Sequence, residues 1–370
     1  MKVAFVHEWL TSYGGAERVL ESMLELFPGA PVFTLVHVPQ ALRHSTLSKA
    51  DIRVSPLSRL PFAGSKYRAY LPLMPLAVEQ FDLRGHDLVL SFSHSLSHGV
   101  LLQPGQLHIC YMYTPARFAW HQYQDYLAVH GLRSGVRGVL AKWILHYFRM
   151  WDQLAVGRVD HLLAISESTA RAAWRAYRRP AQVIYPPVDL DRFRPLTPRG
   201  DYYVTLARLV PNKHVDLIVQ ACAALGRRLL VIGDGPERKR LERLAGNDVQ
   251  LLGWLPDDQV GDLLGRARAF VHAAEEDFGI APVEAMAAGC PIIAYADGGL
   301  QESVTDGLSG LFFEERSVSG VMGGLQRFES IEAVFRPQAV RQAALPYGKD
   351  RFQTEMLAFI QGAWQAFEGS

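Results

Sequence analysis

Short apolar runs alternate along the chain with segments whose apolar residues recur at helical spacing, and this alternation occurs in two series. The first series begins with a predicted strand at 2–5, whose apolar run stops at His7 and Glu8. Gly14-Gly15 then marks a turn into a predicted helix at 16–24. Further strands of this series are predicted at 88–92, 107–113 and 161–165.

The second series shows the same alternation more clearly. Strands are predicted at 202–207, 229–232, 249–252, 269–273 and 291–295, and helices at 214–225, 258–267 and 282–288. Apolar strands separated by amphipathic helices are typical of a parallel sheet covered on both faces. Ligands of such sheets bind at the carboxyl ends of the strands, so the loops after the strands are where a site is expected.

A proline-rich passage at 183–189 separates the two series. With 370 residues, the chain is long enough for two domains of ordinary size. We therefore predict an amino-terminal domain at 1–182 and a second domain at 183–346, followed by a helical segment at 347–370. Periodicity alone leaves open on which domain that last helix packs.

Composition narrows the class of protein. The formal net charge of +1 argues against a protein that neutralises many phosphates, so no nucleic-acid partner is expected. Cys110, Cys222 and Cys290 lie far apart, which favours buried small residues over a disulfide framework or a zinc site. The first apolar run is too short for a signal peptide, and charges within the apolar stretch at 136–151 argue against a membrane span.

Acidic residues and a glycine follow the predicted strand at 269–273. Glu276 lies in this loop and Gly279 ends it; Pro282 suits the first position of the next helix, with Glu284 in the first turn. A helix amino terminus offers unpaired N–H groups and a positive dipole end, which suits a phosphate. The alternative is a solvated acidic loop in which Glu284 only offsets the helix dipole.

A second cluster favours a binding site. The strand at 202–207 ends at Arg208, and Lys213 follows five residues later, just before a helix. Two such cations form a diphosphate clamp if their loop shares a sheet edge with Glu276. In isolation they would be ordinary surface charges, but parallel strands place both loops at the same end of the sheet.

Glycines also follow predicted strands at Gly14-Gly15, at Gly233-Asp234-Gly235 and at Gly298-Gly299. Glycine lets a backbone approach a ligand closely, although a simple turn explains each of these segments equally well. No G-x-G-x-x-G fingerprint is present at the amino terminus, which argues against a nicotinamide-dependent dehydrogenase.

Taken together, these residues resemble the family 4 glycosyltransferases. The family signature is two glutamates separated by seven residues and followed by Ala-Met-Ala-x-Gly-x-Pro, present here as Glu276, Glu284 and the segment 285–291. Further matching segments are Ile165-Ser166-Glu167-Ser168-Thr169, Tyr185-Pro186-Pro187-Val188-Asp189, Arg208 with Lys213, Gly233-Asp234-Gly235-Pro236 and Gly298-Gly299-Leu300-Gln301-Glu302. The resemblance covers the whole chain.

The resemblance implies the GT-B fold, an α/β architecture of two Rossmann-like domains whose parallel sheets face across a cleft. The amino-terminal domain would bind the acceptor, and the second domain would bind a nucleotide sugar. The carboxyl-terminal helix would cross back to the amino-terminal domain.

The resemblance also implies roles for single residues. Arg208 and Lys213 would hold the donor diphosphate. Glu284 would bind the donor ribose, and Glu276 would contact sugar hydroxyls. The other donor-binding residues would be Gly14 and Gly15 from the first domain, Gly233, Gly235 and Leu255 near the base, and the backbone of Phe278, Gly279 and Ile280.

The chain departs from its relatives on the acceptor side. The members most similar to it have a histidine before Thr-Pro, where this chain has Tyr113-Thr114-Pro115. Either the hydroxyl of Tyr113 replaces that hydrogen-bond donor, or the role has moved to His94 or His98.

The implied activity is hexosyl transfer with retention of configuration, with no cofactor and no metal ion. The resemblance extends to bacterial polysaccharide and O-antigen mannosyltransferases, so GDP-mannose is the expected donor and a glycan or polyprenyl-linked glycan the expected acceptor. A GT-B-type nucleotide-sugar epimerase and a non-catalytic sugar-nucleotide-binding module are the alternatives.

Basic and aromatic residues alternate at 66–70 and at 133–149. Such residues suit an anionic membrane surface, where the enzyme would meet a lipid-linked acceptor. The residues expected there are Lys142, Tyr147, Arg149 and Trp151. This interpretation predicts a cytoplasmic enzyme, peripheral on the inner face of the cytoplasmic membrane; the alternative is an ordinary solvated helix face.

Overall fold

The computed structural model describes residues 1–369 and divides into two compact units. Unit 1 contains Met1–Tyr185 and the chain from Gln353 onward, and unit 2 contains Pro186–Phe352. The division after Tyr185 falls within the proline-rich passage at 183–189.

Unit 1 contains a seven-stranded parallel sheet of order β3-β2-β1-β4-β5-β6-β7. The strands are β1 (Val3–Leu10), β2 (Val32–His37), β3 (Ile52–Val54), β4 (Leu88–Ser93), β5 (Leu107–Met112), β6 (His161–Ala164) and β7 (Gln182–Val183). The helices are α1 (Gly15–Leu26), α2 (Ala63–Lys66), α3 (Met74–Glu79), α4 (Tyr123–Val129), α5 (Gly135–Val156) and α6 (Glu167–Tyr177). The first strand therefore continues past His7 and Glu8, where its apolar run stops; both side chains are buried.

Aromatic side chains fill the centre of this unit. Phe5, Phe92 and Tyr111, on the adjacent strands β1, β4 and β5, are fully buried and meet edge to face, with ring centroids 5.7 and 6.2 Å apart. Burial of each such side chain contributes roughly 1.5–3 kcal/mol. The continuous burial of these strands follows from helices covering both faces of a parallel sheet.

Unit 2 contains a six-stranded parallel sheet of order β10-β9-β8-β11-β12-β13. The strands are β8 (Tyr203–Leu206), β9 (Leu229–Ile232), β10 (Val249–Gly253), β11 (Ala269–His272), β12 (Ile292–Tyr295) and β13 (Gly310–Phe313). The helices are α7 (Val215–Leu225), α8 (Arg238–Leu244), α9 (Asp257–Arg266), α10 (Ile280–Ala287), α11 (Leu300–Ser303), α12 (Val318–Ile331) and α13 (Pro337–Ala344).

The two sheets share one connectivity. In each, the first strand lies inside the sheet, the next two extend to one side, and the fourth lies on its other side. The strand order therefore reverses between β1 and β4 in unit 1, and between β8 and β11 in unit 2. The predicted α/β class with two parallel sheets is confirmed.

The last helix, α14 (Lys349–Glu368), is assigned to unit 1 from Gln353 onward. The side-chain amide of Gln353 donates to the Ser22 carbonyl at 3.0 Å and to Glu25 Oε2 at 2.9 Å. The ring of Phe359 meets the edge of His161, with the centroids 5.6 Å apart. These contacts tie α14 to α1 and β6.

All three cysteines are buried and free. Burial raises the pKa of each thiol, at Cys110, Cys222 and Cys290, to about 12. They are inert, apolar core residues.

Candidate active site

The candidate site of unit 2 lies at the carboxyl edge of its sheet, where the strand order reverses between β8 and β11. Loops that leave a sheet on opposite sides of such a reversal diverge, and ligands bind in the crevice between them. Arg208 and Lys213 follow β8, and Glu276 follows β11. The fold therefore places both predicted clusters beside one crevice.

Lys213 and Glu276 are in contact. The ammonium of Lys213 lies 2.5 Å from Glu276 Oε1. Nε2 of His272, the last residue of β11, lies 3.1 Å from the same oxygen. The His272 side chain is 3% exposed and that of Glu276 is 18% exposed, so solvent screens this cluster weakly.

The charge state of Glu276 follows from these neighbours. Burial on its own raises the pKa of the carboxyl, but the charge of Lys213 and the hydrogen bond and charge of His272 lower it more. The pKa of Glu276 therefore lies well below its usual range. The site holds a carboxylate that accepts hydrogen bonds throughout the neutral and mildly acidic range.

Sequence reasoning misses His272. A histidine at the end of an apolar strand carries no distinguishing signal, and buried histidines are usually hydrogen-bonded core residues. Its position four residues before Glu276 is the only hint in the sequence.

Arg208 and Lys213 belong to one short loop. The Arg208 side chain is exposed and, among residues 1–369, its guanidinium makes no hydrogen bond or ion pair. A 3-10 turn at Pro211–Lys213 precedes His214, which has a left-handed backbone with φ of 49°. That conformation is strained for a residue other than glycine, and it turns the chain directly into α7.

Two glycine pairs dock the neighbouring loops against each other. A Cβ at Gly233 or Gly235 would overlap the backbone of Ala207 or Leu209, which flank Arg208. The glycines therefore let the loop after β9 lie against the loop after β8, where the Leu209 N–H donates to the Asp234 carbonyl at 2.9 Å. These contacts give Gly233 and Gly235 a structural role beside the predicted one.

The second pair supports Glu276 itself. The Gly299 N–H donates to the Glu276 carbonyl at 2.7 Å, and a Cβ at Gly298 would overlap that carbonyl. Gly298 also has φ of 70°, which disfavours any side chain. The backbone of Glu276 is thus held from the loop after β12.

Helix α10 differs from its prediction. It begins at Ile280, with Gly279 as the amino-terminal cap at φ of 87°, so Pro282 is the third helical residue and not the first. Glu284 consequently lies in the second turn and is buried. The earlier start follows from Gly279, whose left-handed backbone bends the chain into the helix, while proline needs no N–H partner anywhere in the first turn.

The remaining predicted donor residues of unit 2 follow β10 and β11, on the same edge of its sheet. Phe278 is a buried core residue whose ring meets that of Tyr347 at a centroid distance of 5.3 Å. Leu255 is half-buried between β10 and α9, two strands away from β8. Its predicted contact with the base stays a prediction.

In unit 1, different groups lie at the strand-order reversal between β1 and β4. Gly14 caps α1 and Gly15 is its first residue, so both lie at the carboxyl end of β1. Glu8, near the end of β1, is buried, and its Oε1 accepts the backbone N–H groups of residues 94–97, including His94 at 2.9 Å and Leu96 at 2.5 Å. Ser93 Oγ donates to the same oxygen at 3.3 Å. Sequence reasoning also misses Glu8, because its partners come from the end of β4 and the loop after it, at least 85 residues away.

The residues predicted on the acceptor side differ in their burial and in the hydrogen bonds that they already make. The hydroxyl of Tyr113 donates to the Ala16 carbonyl at 3.1 Å, and burial raises its pKa well above the ordinary value, so it stays neutral. His94 is half-buried and stacks between Trp9 and Tyr113. The alternative of His98 is wrong: its ring is fully buried between Ser93 Oγ, at 2.8 Å, and Asp152 Oδ1, at 3.0 Å.

Among residues 1–369, no group of three or more His, Cys, Asp or Glu side chains is arranged to hold a metal ion. Within the same residues, no helix combines the length and apolar character needed to cross a bilayer.

The residues predicted to face a membrane need a correction. Arg149 donates to the Ala119 carbonyl and lies over Tyr123, and Trp151 donates to Glu79, so both turn toward the body of unit 1.

Comparison with known proteins agrees with the fold. A family model described as Glycosyltransferase Family 4 matches residues 13–192, and one described as Glycosyl transferases group 1 matches residues 189–344. The D-inositol 3-phosphate glycosyltransferase of Geodermatophilus obscurus is 34% identical over 226 residues, which are 51% of this chain and 50% of that protein.

A second relative is the GDP-mannose-dependent alpha-(1-6)-phosphatidylinositol monomannoside mannosyltransferase of Mycobacterium tuberculosis. It is 31% identical over 236 residues, 53% of this chain and 61% of that protein. The chain spans about half the length of the curated relatives it matches.

Two solved structures have the same fold over nearly the whole chain. Sucrose-phosphate synthase from Thermosynechococcus elongatus superposes with a TM-score of 0.75 at 17% identity, covering 99% of this chain and all of that one. Anabaena HepE, solved in complex with UDP-glucose, superposes with a TM-score of 0.72 at 16% identity, covering 97% of this chain and 99% of that one.

The two Rossmann-like parallel sheets and the matching family models place the chain in the GT-B fold class. Within that class, the chain belongs to the family 4 glycosyltransferases.

Proposed function

We propose that this chain transfers a sugar from a nucleoside diphosphate donor to a hydroxyl of a glycan or polyprenyl-linked acceptor, with retention of configuration and without a metal ion. The observation that carries the proposal is the contact of Lys213 with Glu276 at the strand-order reversal of unit 2, beside the exposed guanidinium of Arg208. Unit 2 would bind the donor, and unit 1 would bind the acceptor.

In the transfer, the bond between the anomeric carbon and the β-phosphate oxygen breaks, and its electron pair leaves with the diphosphate. The acceptor oxygen forms the new bond to the anomeric carbon, and its proton passes to the β-phosphate oxygen that leaves. Negative charge grows on the leaving diphosphate, so fixed cations stabilise the transition state more than the ground state. This is the role we assign to Arg208 and Lys213.

The two side chains suit that role in different ways. An ammonium has three N–H donors, so Lys213 can keep its contact with Glu276 and still donate to a phosphate oxygen. The planar guanidinium of Arg208 can bind two phosphate oxygens at once. Its exposed side chain has no competing partner among residues 1–369.

The carboxylates would recognise the sugar and the ribose. Lys213 and His272 keep Glu276 ionised, so it accepts hydrogen bonds from sugar hydroxyls. Glu284, buried in α10, is assigned to the ribose. On the acceptor side, the role passes to His94, because the hydroxyl of Tyr113 is used by Ala16.

GDP-mannose is the donor we choose, supported by the M. tuberculosis relative whose name specifies it. The HepE structure contains UDP-glucose, so a UDP-sugar is the alternative donor that the experiment compares with GDP-mannose. The setting would be the cytoplasmic side of the membrane, in the assembly of a surface polysaccharide.

The test measures thermal stability with GDP-, UDP- and ADP-sugars and then release of the nucleotide with and without an acceptor glycan. A bound donor raises the melting temperature, because it binds only the folded state. We expect the largest shift with GDP-mannose, acceptor-dependent release that persists in EDTA, and an α-linked product by NMR. Formation of an epimerised sugar in the absence of acceptor would replace the proposal with an epimerase. Donor binding without turnover, with the same binding in Glu276→Gln, would replace it with a non-catalytic binding module.

A further inference from the structure

Helix α5 has an exposed apolar face. Its members recur at spacings of four and three residues and are between 50% and 87% exposed: Val136, Leu140, Trp143, Tyr147, Met150 and Leu154. The opposite face, with Leu145, Phe148 and Ala155, is buried in unit 1. The helix is therefore apolar on both sides, although only one side has a partner within the described chain.

The size of this face exceeds that of scattered surface residues. From Val136 to Leu154 the row is roughly 27 Å long at about 1.5 Å per residue. Single exposed apolar residues are normal on monomeric proteins, but continuous apolar rows mark interaction surfaces.

The exposed charges of α5 and of the loop before it have one sign. No Asp or Glu occurs between Tyr126 and Trp151, and the exposed Arg133, Arg137 and Lys142 lie in this segment. At about 100° per residue, Lys142 falls on one side of the row and Arg137 on the other. The acid that follows, Asp152, is buried with Trp120 and Tyr177.

The row also contains the residue types that favour a lipid interface. Trp143 and Tyr147 are adjacent within it, with ring centroids 5.3 Å apart. Tryptophan and tyrosine are enriched at the membrane interface, where the acyl chains meet the lipid headgroups. Lysine and arginine at the rim extend their charge toward the phosphates.

The same charges argue against a second copy of this chain as the partner. Helices that pair along an apolar row usually carry charges of both signs at its edges, which attract the partner helix. Here the exposed charged residues of α5 are basic, so two copies that pair along this helix would repel each other. An anionic surface complements them.

A neighbouring segment has the same character. Between Ile52 and Val78 the chain also has no acidic residue, and Phe62, at 72%, and Leu76, at 61%, are strongly exposed. The Lys66 ammonium lies 5.4 Å from the centre of the Phe62 ring. Tyr67 and Met74 of this segment belong to the core cluster that contains Phe148 of α5.

We propose that the exposed row of α5 docks unit 1 on an anionic lipid bilayer, with the helix lying in the plane of the interface. Trp143 and Tyr147 enter the boundary of the acyl chains, and Arg137 and Lys142 contact headgroup phosphates. The inference does not depend on the proposed function, because it uses no residue of the site in unit 2.

The test is co-sedimentation of the full chain with vesicles of phosphatidylcholine alone or mixed with phosphatidylglycerol, at low and at high salt. We expect binding to the mixed vesicles that weakens as salt screens the charges. Absence of binding to the mixed vesicles at low salt, or equal binding to both kinds, would overturn the proposal.

Matched variants locate the surface. Trp143→Ser should lower vesicle partitioning by about tenfold, because it removes an interfacial aromatic side chain. Trp174→Ser is the control, since Trp174 is 50% exposed on α6 of the same unit against 59% for Trp143. An equal loss in both variants, or none in Trp143→Ser, contradicts the assignment.

Charge variants test the rim without touching the apolar row. Arg137→Gln and Lys142→Gln should each weaken binding to anionic vesicles by about fivefold. Light scattering in the absence of lipid tests whether a second copy of the chain covers the row instead. If the wild type is a dimer and Trp143→Ser is a monomer, the row is a dimer interface and the proposal is rejected. Nucleotide-sugar thermal shifts measured without lipid report separately on the proposed function.

Discussion

The two strand-order reversals of this chain have the same topology and opposite chemistry. In unit 2, the loop after β8 brings Arg208 and Lys213 to the reversal, and the loop after β11 brings Glu276. In unit 1, the backbone N–H groups of residues 94–97 converge on the reversal, where the carboxylate of Glu8 accepts them.

Converging N–H groups of this kind form an anion-binding nest. The chain fills the nest of unit 1 with its own carboxylate, whereas the cations of unit 2 are only partly used by Glu276. One connectivity thus yields a site suited to a diphosphate and a second site whose donors are already used.

The largest expected effect tests the cations of unit 2. Lys213→Ala should lower kcat/KM for the donor by roughly 10²–10³-fold, because a fixed charge at the leaving diphosphate is lost. Lys239→Ala is the control, since Lys239 is an exposed lysine of the same unit on α8. Steady-state kinetics check both; wild-type kcat/KM in Lys213→Ala would remove the lysine from the mechanism.

The next effect tests the filled nest of unit 1. Glu8→Ala leaves several buried N–H groups without an acceptor, so we expect a loss of about 3 kcal/mol in the free energy of unfolding. Sulfate should stabilise this variant more than wild type, because the emptied nest can bind an anion. Denaturant unfolding with and without sulfate measures both, and Glu8→Gln, which keeps an oxygen acceptor, should lose less. Wild-type stability in Glu8→Ala would show that the nest contributes nothing.

A smaller effect separates His94 from Tyr113 on the acceptor side. His94→Ala should lower kcat/KM for the acceptor by about tenfold, the value of one hydrogen bond of roughly 1.4 kcal/mol. Tyr113→Phe should leave acceptor kinetics unchanged and cost about 1 kcal/mol of stability, because the hydroxyl donates to Ala16. If Tyr113→Phe lowers kcat/KM for the acceptor and His94→Ala does not, Tyr113 is the residue that acts on the acceptor side.

The smallest effect concerns pH. Because Lys213 and His272 hold the pKa of Glu276 well below its usual range, the carboxylate stays ionised between about pH 7 and about pH 5. The stability from this lowered pKa is present above the unfolded-state value and is lost only as pH falls through the folded-state value. Nucleotide-induced thermal shifts of wild type should therefore be flat across this range.

Lys213→Ala sharpens the pH test. It removes the largest influence that lowers the pKa of Glu276 while burial still raises it, so the carboxyl should protonate at a higher pH than in wild type. Titration of the variant by NMR measures the change; an unaltered pKa would mean that Lys213 does not control Glu276.

Much of the architecture was predictable because the signals are local. The strand β9 has its predicted bounds, and the remaining predicted strands of unit 2 agree to within one residue at each end, since apolar runs between amphipathic helices define them. Strands β2, β3, β7 and β13 are absent from the prediction. The strands β3 and β7 have only three and two residues, which carry no detectable period, whereas the short apolar runs of β2 and β13 were not assigned. The start of α10 was misplaced because the backbone of Gly279 decides it, and a sequence does not display φ.

By itself, the sequence determined the class of this protein: two alternating series, the paired glutamates with their Ala-Met-Ala-x-Gly-x-Pro continuation, and two cations after a strand. These are patterns of neighbouring residues, which local propensity and motif spacing express directly. Only the tertiary structure decided that Lys213 and His272 share one oxygen of Glu276, that Glu8 fills the nest of unit 1, and that the apolar row of α5 faces solvent. Each of these depends on groups far apart in the chain or on which face of a helix is buried, and packing alone determines both.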